Sequence, residues 1–351
     1  MTPVRSILMP GEFWFGSTGL GLATGFRDSG HYVTEVDLRR HFPALDSLAS
    51  RALFRQLEPL LVRSYRNRMI DMAARDKCDI MIAVKGGYID TATIRKLQSM
   101  GVYCVNFYPD VSFDHPYVTA EDQKAYDLLV STKTFHLDYL KGQIGLSNVE
   151  YVPHGYSPEV HRPREARLSD AACDFDIAFV GSFSAHKAAF LGKVFSANKH
   201  RKILLAGNGW QQFAAANAHE NLSHVGPIVG DAYARLVERS RINIAIHHGP
   251  AGPEGWADSV STRSFEIPAA RGFMLHVDNA EIRTFFEAGK EFVPFSDAAE
   301  TIKVIDHYLT NPAERLAIAQ AGYERCVPAY GLGKRGADIM QHIERRLSGQ
   351  I

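Results

Sequence analysis

The chain has 351 residues, 46% of them hydrophobic, and its 39 Lys and Arg residues balance 39 Asp and Glu residues. This length allows two domains, and the neutral total argues against a nucleic-acid binder, which usually needs a net basic surface. The sequence has no apolar run of about 18 residues and no signal-peptide core in residues 1–16, which predicts a cytoplasmic protein without an integral membrane segment. Its four cysteines form no C-x-x-C pair, so neither a disulfide framework nor a zinc site is expected.

The first half of the chain alternates short apolar strands with helices. The predicted strands are Val4–Met9, Tyr32–Val36, Ile80–Val84, Val102–Phe107, Leu128–Ser131 and Val149–Tyr151. The predicted helices are Leu22–Ser29, Leu45–Lys77, Asp90–Met100 and Thr134–Lys141, with Pro59 marking a point where the long second helix could divide. This alternation is typical of a doubly wound parallel sheet.

A glycine-rich loop follows the first strand. Gly19 and Gly21 lie in it, but the glycines do not complete a G-x-G-x-x-G pattern, so a dinucleotide site is only weakly indicated. Two interpretations stay open: a tight strand-to-helix turn, or a loop that contacts a phosphate or an acceptor.

A linker is predicted at residues 153–174, which contain three prolines and show no periodicity. We therefore expect a first domain at 1–152, a second at 175–330 and a final helix at 331–351. The second domain's predicted strands are Ile177–Val180, Ile203–Ala206, Leu222–Val225, Ile242–Ile246, Phe273–Val277 and Phe292–Phe295. Its clearest helices, with the final one, are Lys187–Phe195, Asp231–Ser240, Ala298–Leu309, Pro312–Cys326 and Lys334–Leu347.

The stretch Ile242–Glu287 has the most informative pattern. An apolar strand leads into a loop rich in Gly and Pro, and Asp258-Ser259 is predicted to open a helix that ends at Gly272. Such a layout places an anion on helix N–H groups at the edge of a parallel sheet. Ser259, Arg263 and Glu266 fall at i, i+4 and i+7, so we expect them on one helix face, with a cation for phosphate beside a carboxylate for sugar hydroxyls.

Residues Arg263–Ala269, followed by Gly272, resemble the donor-site helix of GT-B glycosyltransferases, in particular the branch typified by the spore-maturation CgeB-like proteins. Asp258 and Glu266 are separated by seven residues, similar to the E-x7-E pattern of retaining GT-B enzymes, although the first residue here is Asp. The resemblance implies two Rossmann-like domains that face a cleft, with a final helix that crosses back to the first domain. It also implies a metal-independent transfer of a sugar, typically a hexose, from a nucleotide-sugar to an acceptor hydroxyl.

Donor binding is assigned to the second domain. Backbone N–H groups of Ser259–Thr262 suit a pyrophosphate, Arg263 adds a fixed charge, and Glu266 can accept from two ribose hydroxyls. The other donor candidates follow strand ends or lie in this segment: Gly181, Ser182, Phe183, Lys187, Asn208, Gly209, Trp210, Ser261 and Thr262. Lys187 resembles the phosphate-binding base of related enzymes, and Trp210 offers a stacking face, although a Trp in such a loop is more often a packing residue.

Two carboxylates are catalytic candidates. Asp258 is a candidate for stabilising positive charge at the anomeric carbon, or it only caps its helix. Asp110 follows a first-domain strand and is either the base for the acceptor hydroxyl or a turn residue. His115, His154 and His247 are further candidates, and the D-x-D sequence Asp174-Phe175-Asp176 is interpreted as structural.

The sequence therefore predicts a GT-B glycosyltransferase with no cofactor beyond a UDP-, GDP- or dTDP-linked sugar as co-substrate. Its expected partners are that donor and an unspecified acceptor, with no nucleic acid. A sugar-nucleotide epimerase or a phosphorylase of the same fold is an alternative. A two-lobed binding protein without chemistry is another.

Overall fold

The computed structural model describes residues 3–43, 47–113, 117–164, 170–250 and 254–349. The chain divides into two compact units, which we call the first unit (Met1–Pro153 with Leu332–Ile351) and the second unit (His154–Gly331). Where it is described, the predicted linker 153–174 lies almost entirely within the second unit.

The first unit contains a parallel sheet of six strands in the order β2-β1-β3-β4-β5-β6 among its described residues. The strands are β1 (Ser6–Gly11), β2 (Tyr32–Asp37), β3 (Ile80–Val84), β4 (Tyr103–Tyr108), β5 (Leu128–Ser131) and β6 (Val149–Tyr151). The helices are α1 (Thr18–Asp28), α2 (Leu48–Arg75), α3 (Thr91–Ser99), α4 (Ala120–Gln123) and α5 (Thr134–Gly142). The central strands are buried almost throughout, as expected for parallel strands covered on both faces.

The second unit repeats this architecture, with a parallel sheet in the order β12-β11-β10-β7-β8-β9. Its strands are β7 (Phe175–Val180), β8 (Ile203–Ala206), β9 (Leu222–Val225), β10 (Ser240–Ala245), β11 (Met274–Val277) and β12 (Val293–Phe295). Its helices are α6 (Ala185–Ala197), α7 (Gln211–Ala216), α8 (Asp231–Glu238), α9 (Arg263–Ala269), α10 (Ile282–Phe285), α11 (Ala298–Thr310) and α12 (Pro312–Cys326). The final helix, α13 (Leu332–Leu347), belongs to the first unit. The predicted α/β fold with two parallel sheets is confirmed.

Helices α1 and α13 pack closely within the first unit, and glycines make this possible. A Cβ added at Gly21 would collide with the Leu332 side chain, and one at Gly25 would collide with the backbone of Gly333. Gly21 therefore lies inside a helix and serves packing, so its predicted place in a phosphate or acceptor loop is wrong. Helix α13 buries a hydrophobic face within the first unit, where Ile339 and Ile343 are fully buried. This burial stabilises the packing of the helix in that unit.

Three local predictions differ from the structure. Helix α2 runs unbroken through Pro59 from Leu48 to Arg75, while the predicted start at Leu45 lies outside the described residues. Ser240, predicted to end a helix, begins β10 instead. Helix α9 begins at Arg263 and not at Asp258-Ser259. Across the described residues, no helix is both long enough and apolar enough to cross a membrane.

Candidate functional site

Two loops at the carboxyl ends of β7 and β8 lie side by side in the second unit. Gly181 N–H donates to the Ala206 carbonyl at 2.8 Å, and Phe183 N–H donates to the Asn208 carbonyl at 2.8 Å. Gly207 adopts a φ of +135°, and a Cβ at this position would collide with the Gly181 carbonyl. Glycine is required here by both the backbone conformation and the close approach. The predicted donor loops, 181–183 and 208–210, are therefore neighbours.

The buried side chain of Trp210 stabilises the positions of these two loops. Its side chain is fully buried, and its Nε1–H donates to the Gly181 carbonyl at 2.6 Å. The indole packs edge-on against Phe179 and Phe183 with centroid distances of 5.7 and 5.1 Å. Trp210 is thus a packing residue, and its interpretation as a stacking face is wrong. The exposed aromatic side chain of this loop is Phe183, which keeps 41% of its surface accessible.

Lys187 is bound to the same loop. It lies in the first turn of α6, whose N-cap is Ser184, and its Nζ donates to the Ser182 carbonyl at 3.0 Å. Burial, followed by the neighbouring charge of Arg263, lowers the pKa of Lys187, and the Asp258 carboxylate partly opposes them, so that the pKa lies at about 8. The three charged groups therefore interact in one place.

Arg263 reaches this place from the start of α9. Its Nε–H donates to the Val180 carbonyl, the last of β7. A Cβ at Gly181 would lie 2.8 Å from an Nη of Arg263, so the guanidinium lies directly against this glycine. Gly181, Lys187 and Arg263, which the sequence proposed from separate motifs, are brought together.

The segment before α9 is irregular, which corrects two sequence predictions. Thr262 is the N-cap of α9 and makes no side-chain capping bond, so Asp258 does not cap the helix and Ser259 does not share its face. Long-range contacts hold the segment instead: Asp258 N–H donates to the His248 carbonyl, and Asn279 Nδ2 donates to the Ser259 carbonyl, each at 2.9 Å. These bonds outweigh the local preference for a cap at Asp258.

A buried Ser–His network fixes the end of this segment. His276 Nδ1–H lies 2.7 Å from the Val277 carbonyl, and its Nε2 lies 2.9 Å from Nε2 of His247. Ser261 Oγ lies 2.9 Å from His247 Nδ1, and Ser264 Oγ lies 2.8 Å from His276 Nε2. Burial lowers the pKa of His276 to about 4, so this ring is neutral near pH 7. His247 therefore links Ser261 to His276 and helps to position the loop.

The sequence reasoning missed Ser264 and His276. A signal was available, because β10 and β11 are parallel neighbours in which Ala245 pairs with His276, and His247 follows two residues later on the same face. Two histidines at adjacent strand ends point to such a contact, but recognising it requires the strand order.

Glu266 lies one turn after Arg263 and keeps 17% of its side chain exposed. His161 is its neighbour, with Nε2 3.7 Å from Glu266 Oε1. Burial lowers the pKa of His161, so the pair is not an ion pair at neutral pH. Burial, followed by the charge of Glu266, raises the pKa of Tyr233. His161 and Tyr233 are therefore neighbours of Glu266 that sequence reasoning did not find.

Asp110 lies in the first unit, two residues after β4. It forms an ion pair with Lys85, the residue after β3, and both side chains are about one-third exposed. Burial lowers the pKa of Lys85, but the Asp110 carboxylate and the Tyr117 hydroxyl together outweigh burial and raise it above its usual value. Gly19 lies in the first turn of α1 and not in a loop, which corrects its predicted position, and a Cβ there would collide with the Glu12 carbonyl.

The remaining candidates have structural positions or are not described. Asp174 pairs with Arg239 at 2.6 Å and Asp176 pairs with Arg241, which fits the structural interpretation of the D-x-D sequence. His154 is buried at the start of the second unit. His115 lies outside the described residues.

Comparisons with known proteins identify this fold. Residues 186–341 match a family model described as Glycosyl transferase-like. The chain is similar to a glycosyltransferase from Rickettsia africae, with a TM-score of 0.68, 12% identity and 98% of each chain covered. It is also similar to sucrose-phosphate synthase from Thermosynechococcus elongatus, with a TM-score of 0.64, 13% identity, and 99% of this chain and 100% of that chain covered.

A third similar structure is Anabaena HepE in complex with UDP and glucose, with a TM-score of 0.62, 13% identity, and 98% of this chain and 100% of that chain covered. No curated protein sequence matches the chain. The chain thus has the GT-B fold of glycosyltransferases. Its matched region, which contains Lys187, Arg263 and Glu266, is a glycosyltransferase-like domain.

Proposed function

We propose that this protein is a glycosyltransferase that moves a sugar from a nucleoside-diphosphate sugar to an acceptor hydroxyl. The observation that carries the proposal is the contact between the Arg263 guanidinium and Gly181, with Lys187 bound to the same loop. Two cations and closely approaching backbone at a strand end are suited to a pyrophosphate. The narrower assignment to the CgeB-like branch rests only on the sequence of Arg263–Ala269.

Each part of the donor has a partner in the second unit under this proposal. Lys187 and Arg263 hold the pyrophosphate, and Glu266 accepts hydrogen bonds from the ribose hydroxyls. Phe183, with Asn208 and Gly209 beside it, provides an exposed aromatic surface for the base. Because HepE was crystallised with UDP and glucose, a UDP-linked hexose is the first donor to test.

The reaction breaks the bond between the anomeric carbon and the diphosphate oxygen, and the electron pair stays on the diphosphate. The acceptor oxygen forms the new bond to the anomeric carbon, and its proton passes to a base or to the departing diphosphate. Lys187 and Arg263 stabilise the charge that develops on the leaving oxygen. Asp258, whose charge acts on Lys187, is our candidate for stabilising positive charge at the anomeric carbon.

A thermal-shift screen with UDP, GDP and dTDP, followed by a transfer assay with the stabilising donor, tests the proposal. A ligand that binds only the folded state raises the melting temperature. Since Lys187 and Arg263 supply fixed positive charge, we expect turnover to persist in EDTA. Activity that disappears in EDTA and returns with Mn²⁺ would contradict metal independence, and no stabilisation by any nucleotide would contradict the donor site.

The same experiments separate the alternatives. A phosphorylase would carry pyridoxal phosphate on a lysine and absorb visible light when purified, whereas we expect a colourless protein. An epimerase would convert the donor to a second nucleotide-sugar without an acceptor. A binding protein would be stabilised by the nucleotide-sugar and leave it intact.

The low pKa of Lys187 gives a pH prediction. The charged form binds diphosphate, so affinity for UDP should fall as pH rises through about 8, by about tenfold between pH 7 and pH 9 if only the charged form binds. Lys187→Arg should make the affinity nearly constant over this range because a guanidinium stays charged. Calorimetric titrations at several pH values measure both curves, and a wild-type affinity that does not change up to pH 9 would exclude Lys187 from the phosphate site.

Glu266→Ala should weaken UDP binding by about tenfold or more, since charged hydrogen bonds are worth about 1.5–3 kcal/mol and each 1.4 kcal/mol is a factor of ten. If Glu266 binds the ribose, the variant should also lose the ability to distinguish UDP from 2′-deoxy-UDP. His161→Gln is the matched control, because it alters the neighbour of Glu266 and keeps the carboxylate. Calorimetric titration of the three proteins with both nucleotides measures this, and undiminished discrimination in Glu266→Ala would remove Glu266 from the site.

A further inference from the structure

A cavity of about 550 Å³ lies in the first unit, at the carboxyl ends of β1 and β3. This volume is in the range of small-molecule sites and too small for a protein or a long glycan chain. All the residues that line it belong to the first unit. Glu12, Trp14 and Ser17 from the loop after β1, with Thr18 and Gly19 from the start of α1, form one wall.

Six aromatic side chains contribute to the lining. They are Trp14, Phe42, Phe54, Tyr65, Tyr88 and Tyr117. Phe42 stacks on Tyr88 with ring centroids 4.7 Å apart, and Tyr88 stacks on Tyr117 at 5.0 Å, with interplanar angles of 24° in both pairs. Phe54 and Tyr65 meet Phe42 edge-on, each at 5.8 Å. The wall is thus a continuous set of rings and not a scatter of single side chains.

The loop that carries Tyr88 is held in an unfavourable backbone conformation. Lys85 and Tyr88 have φ values of +73° and +63°, which residues with a Cβ rarely adopt. Arg66 Nε–H donates to the Tyr88 carbonyl at 2.7 Å, and Tyr88 N–H donates to the Tyr117 carbonyl at 3.0 Å. Strained residues that the surroundings fix in this way cluster at binding sites. Here the strain places the Tyr88 ring between Phe42 and Tyr117.

The cavity has few charges for its size. Its charged lining residues are Glu12, Arg39 and Lys85. Lys85 is paired with Asp110, and Glu12 accepts a hydrogen bond from Trp14 Nε1 at 3.2 Å. Because Lys85 is neutralised by Asp110, a phosphorylated ligand would lose water here with little positive charge to compensate it. A flat ring system would gain stacked and edge-to-face contacts beyond its buried area.

We propose that this cavity binds a neutral, flat, aromatic small molecule that bears a hydroxyl group. The aromatic walls hold the ring system, and the hydroxyl lies beside the ion pair of Lys85 and Asp110. Resting on the proposed function, this ligand is the sugar acceptor, so the class of acceptor is an aromatic alcohol or phenol.

Calorimetric titration without any sugar donor tests the cavity directly. The probes are 2-naphthol, 2-decalol, which has the same carbon skeleton without flat rings, and methyl glucoside. We expect 2-naphthol to bind at least about tenfold more tightly than 2-decalol, and methyl glucoside to give no measurable binding. Equal or tighter binding of methyl glucoside, or no binding of 2-naphthol, would overturn the proposal.

Three variants show where the probe binds. Thr18→Phe places a ring in the cavity and should weaken the binding of 2-naphthol at least tenfold. Phe42→Leu keeps the apolar volume but removes a ring, so it should abolish the preference for 2-naphthol over 2-decalol. Phe15→Leu alters an exposed ring that is absent from the lining and should change nothing. Circular dichroism shows whether each variant folds. If Thr18→Phe does not fold, the binding preference of Phe42→Leu tests the site. Unchanged binding in a folded variant of either kind would contradict this site.

Because no donor is present, failure of this inference differs from failure of the proposed function. Binding of 2-naphthol without transfer of a sugar to any acceptor would contradict the transferase and leave the cavity assignment intact. Transfer to a saccharide by a protein that does not bind 2-naphthol would leave the transferase intact and contradict the acceptor class.

Discussion

Arg263→Met is expected to lower turnover by about 10²–10³-fold, the loss that follows removal of one preorganised group from a developing negative charge. Arg263 is well placed for this role because its Nε–H bond to the Val180 carbonyl fixes the guanidinium beside Gly181. The loss should appear mainly in kcat, because the charge on the leaving diphosphate grows as the sugar departs. Steady-state kinetics with the donor found in the thermal-shift screen measure the effect.

Two further variants control for structure. Arg263→Lys keeps a charge and loses the fork geometry, so an intermediate turnover is expected. Arg235→Met removes an exposed arginine of α8 in the same unit and should leave kcat unchanged. Melting temperatures of all three proteins separate catalysis from folding. Wild-type turnover in a folded Arg263→Met protein would remove Arg263 from the reaction.

Asp110→Asn should reduce turnover by about a hundredfold or more if Asp110 takes the proton of the acceptor hydroxyl. Affinity for the donor nucleotide should hardly change, because the residue belongs to the first unit and the proposed donor site to the second. Turnover is measured at saturating donor and nucleotide affinity by calorimetry. Near-normal turnover would leave Asp110 as a turn residue, and is also the result expected for a retaining reaction.

The ion pair between Asp110 and Lys85 allows a more specific control for the role of Asp110. If Asp110 only neutralises Lys85, then Asp110→Asn and Lys85→Met each leave one half-buried charge unpaired, and the double variant should recover activity. If Asp110 is the base, the double variant should remain as slow as Asp110→Asn. Measuring kcat for the two single variants and the double variant therefore distinguishes a catalytic carboxylate from a structural one.

The sequence predicted the fold class and most strands, because these depend on short-range patterns. Runs such as Ile80–Val84 and Ile203–Ala206 are apolar and rich in β-branched or aliphatic residues, and they form the predicted strands. Glycines after β7 and β8 marked loops where backbone approaches closely, and Gly181 and Gly207 are in contact for that reason. Residue type and position relative to helix starts are enough to predict Arg263 and Lys187 as site residues.

Local patterns failed where a distant residue determined the outcome. Asp258 is a good helix cap in isolation, yet its segment is held by the His248 carbonyl and by Asn279, and the helix begins five residues later. Trp210 follows a glycine-rich turn that suggests exposure, but the Gly181 carbonyl binds its N–H in the core.

Only the tertiary structure decided the contacts on which the site depends. The sequence determined which segments form strands and which loops carry glycine, charge or aromatic rings, because those properties depend on neighbours within a few residues. It did not determine that Arg263 lies against Gly181, that Lys85 neutralises Asp110, or that Phe42, Tyr88 and Tyr117 stack into one wall. Such contacts join separate stretches of the chain, and their formation depends on strand order and side-chain packing, which no short stretch of sequence encodes.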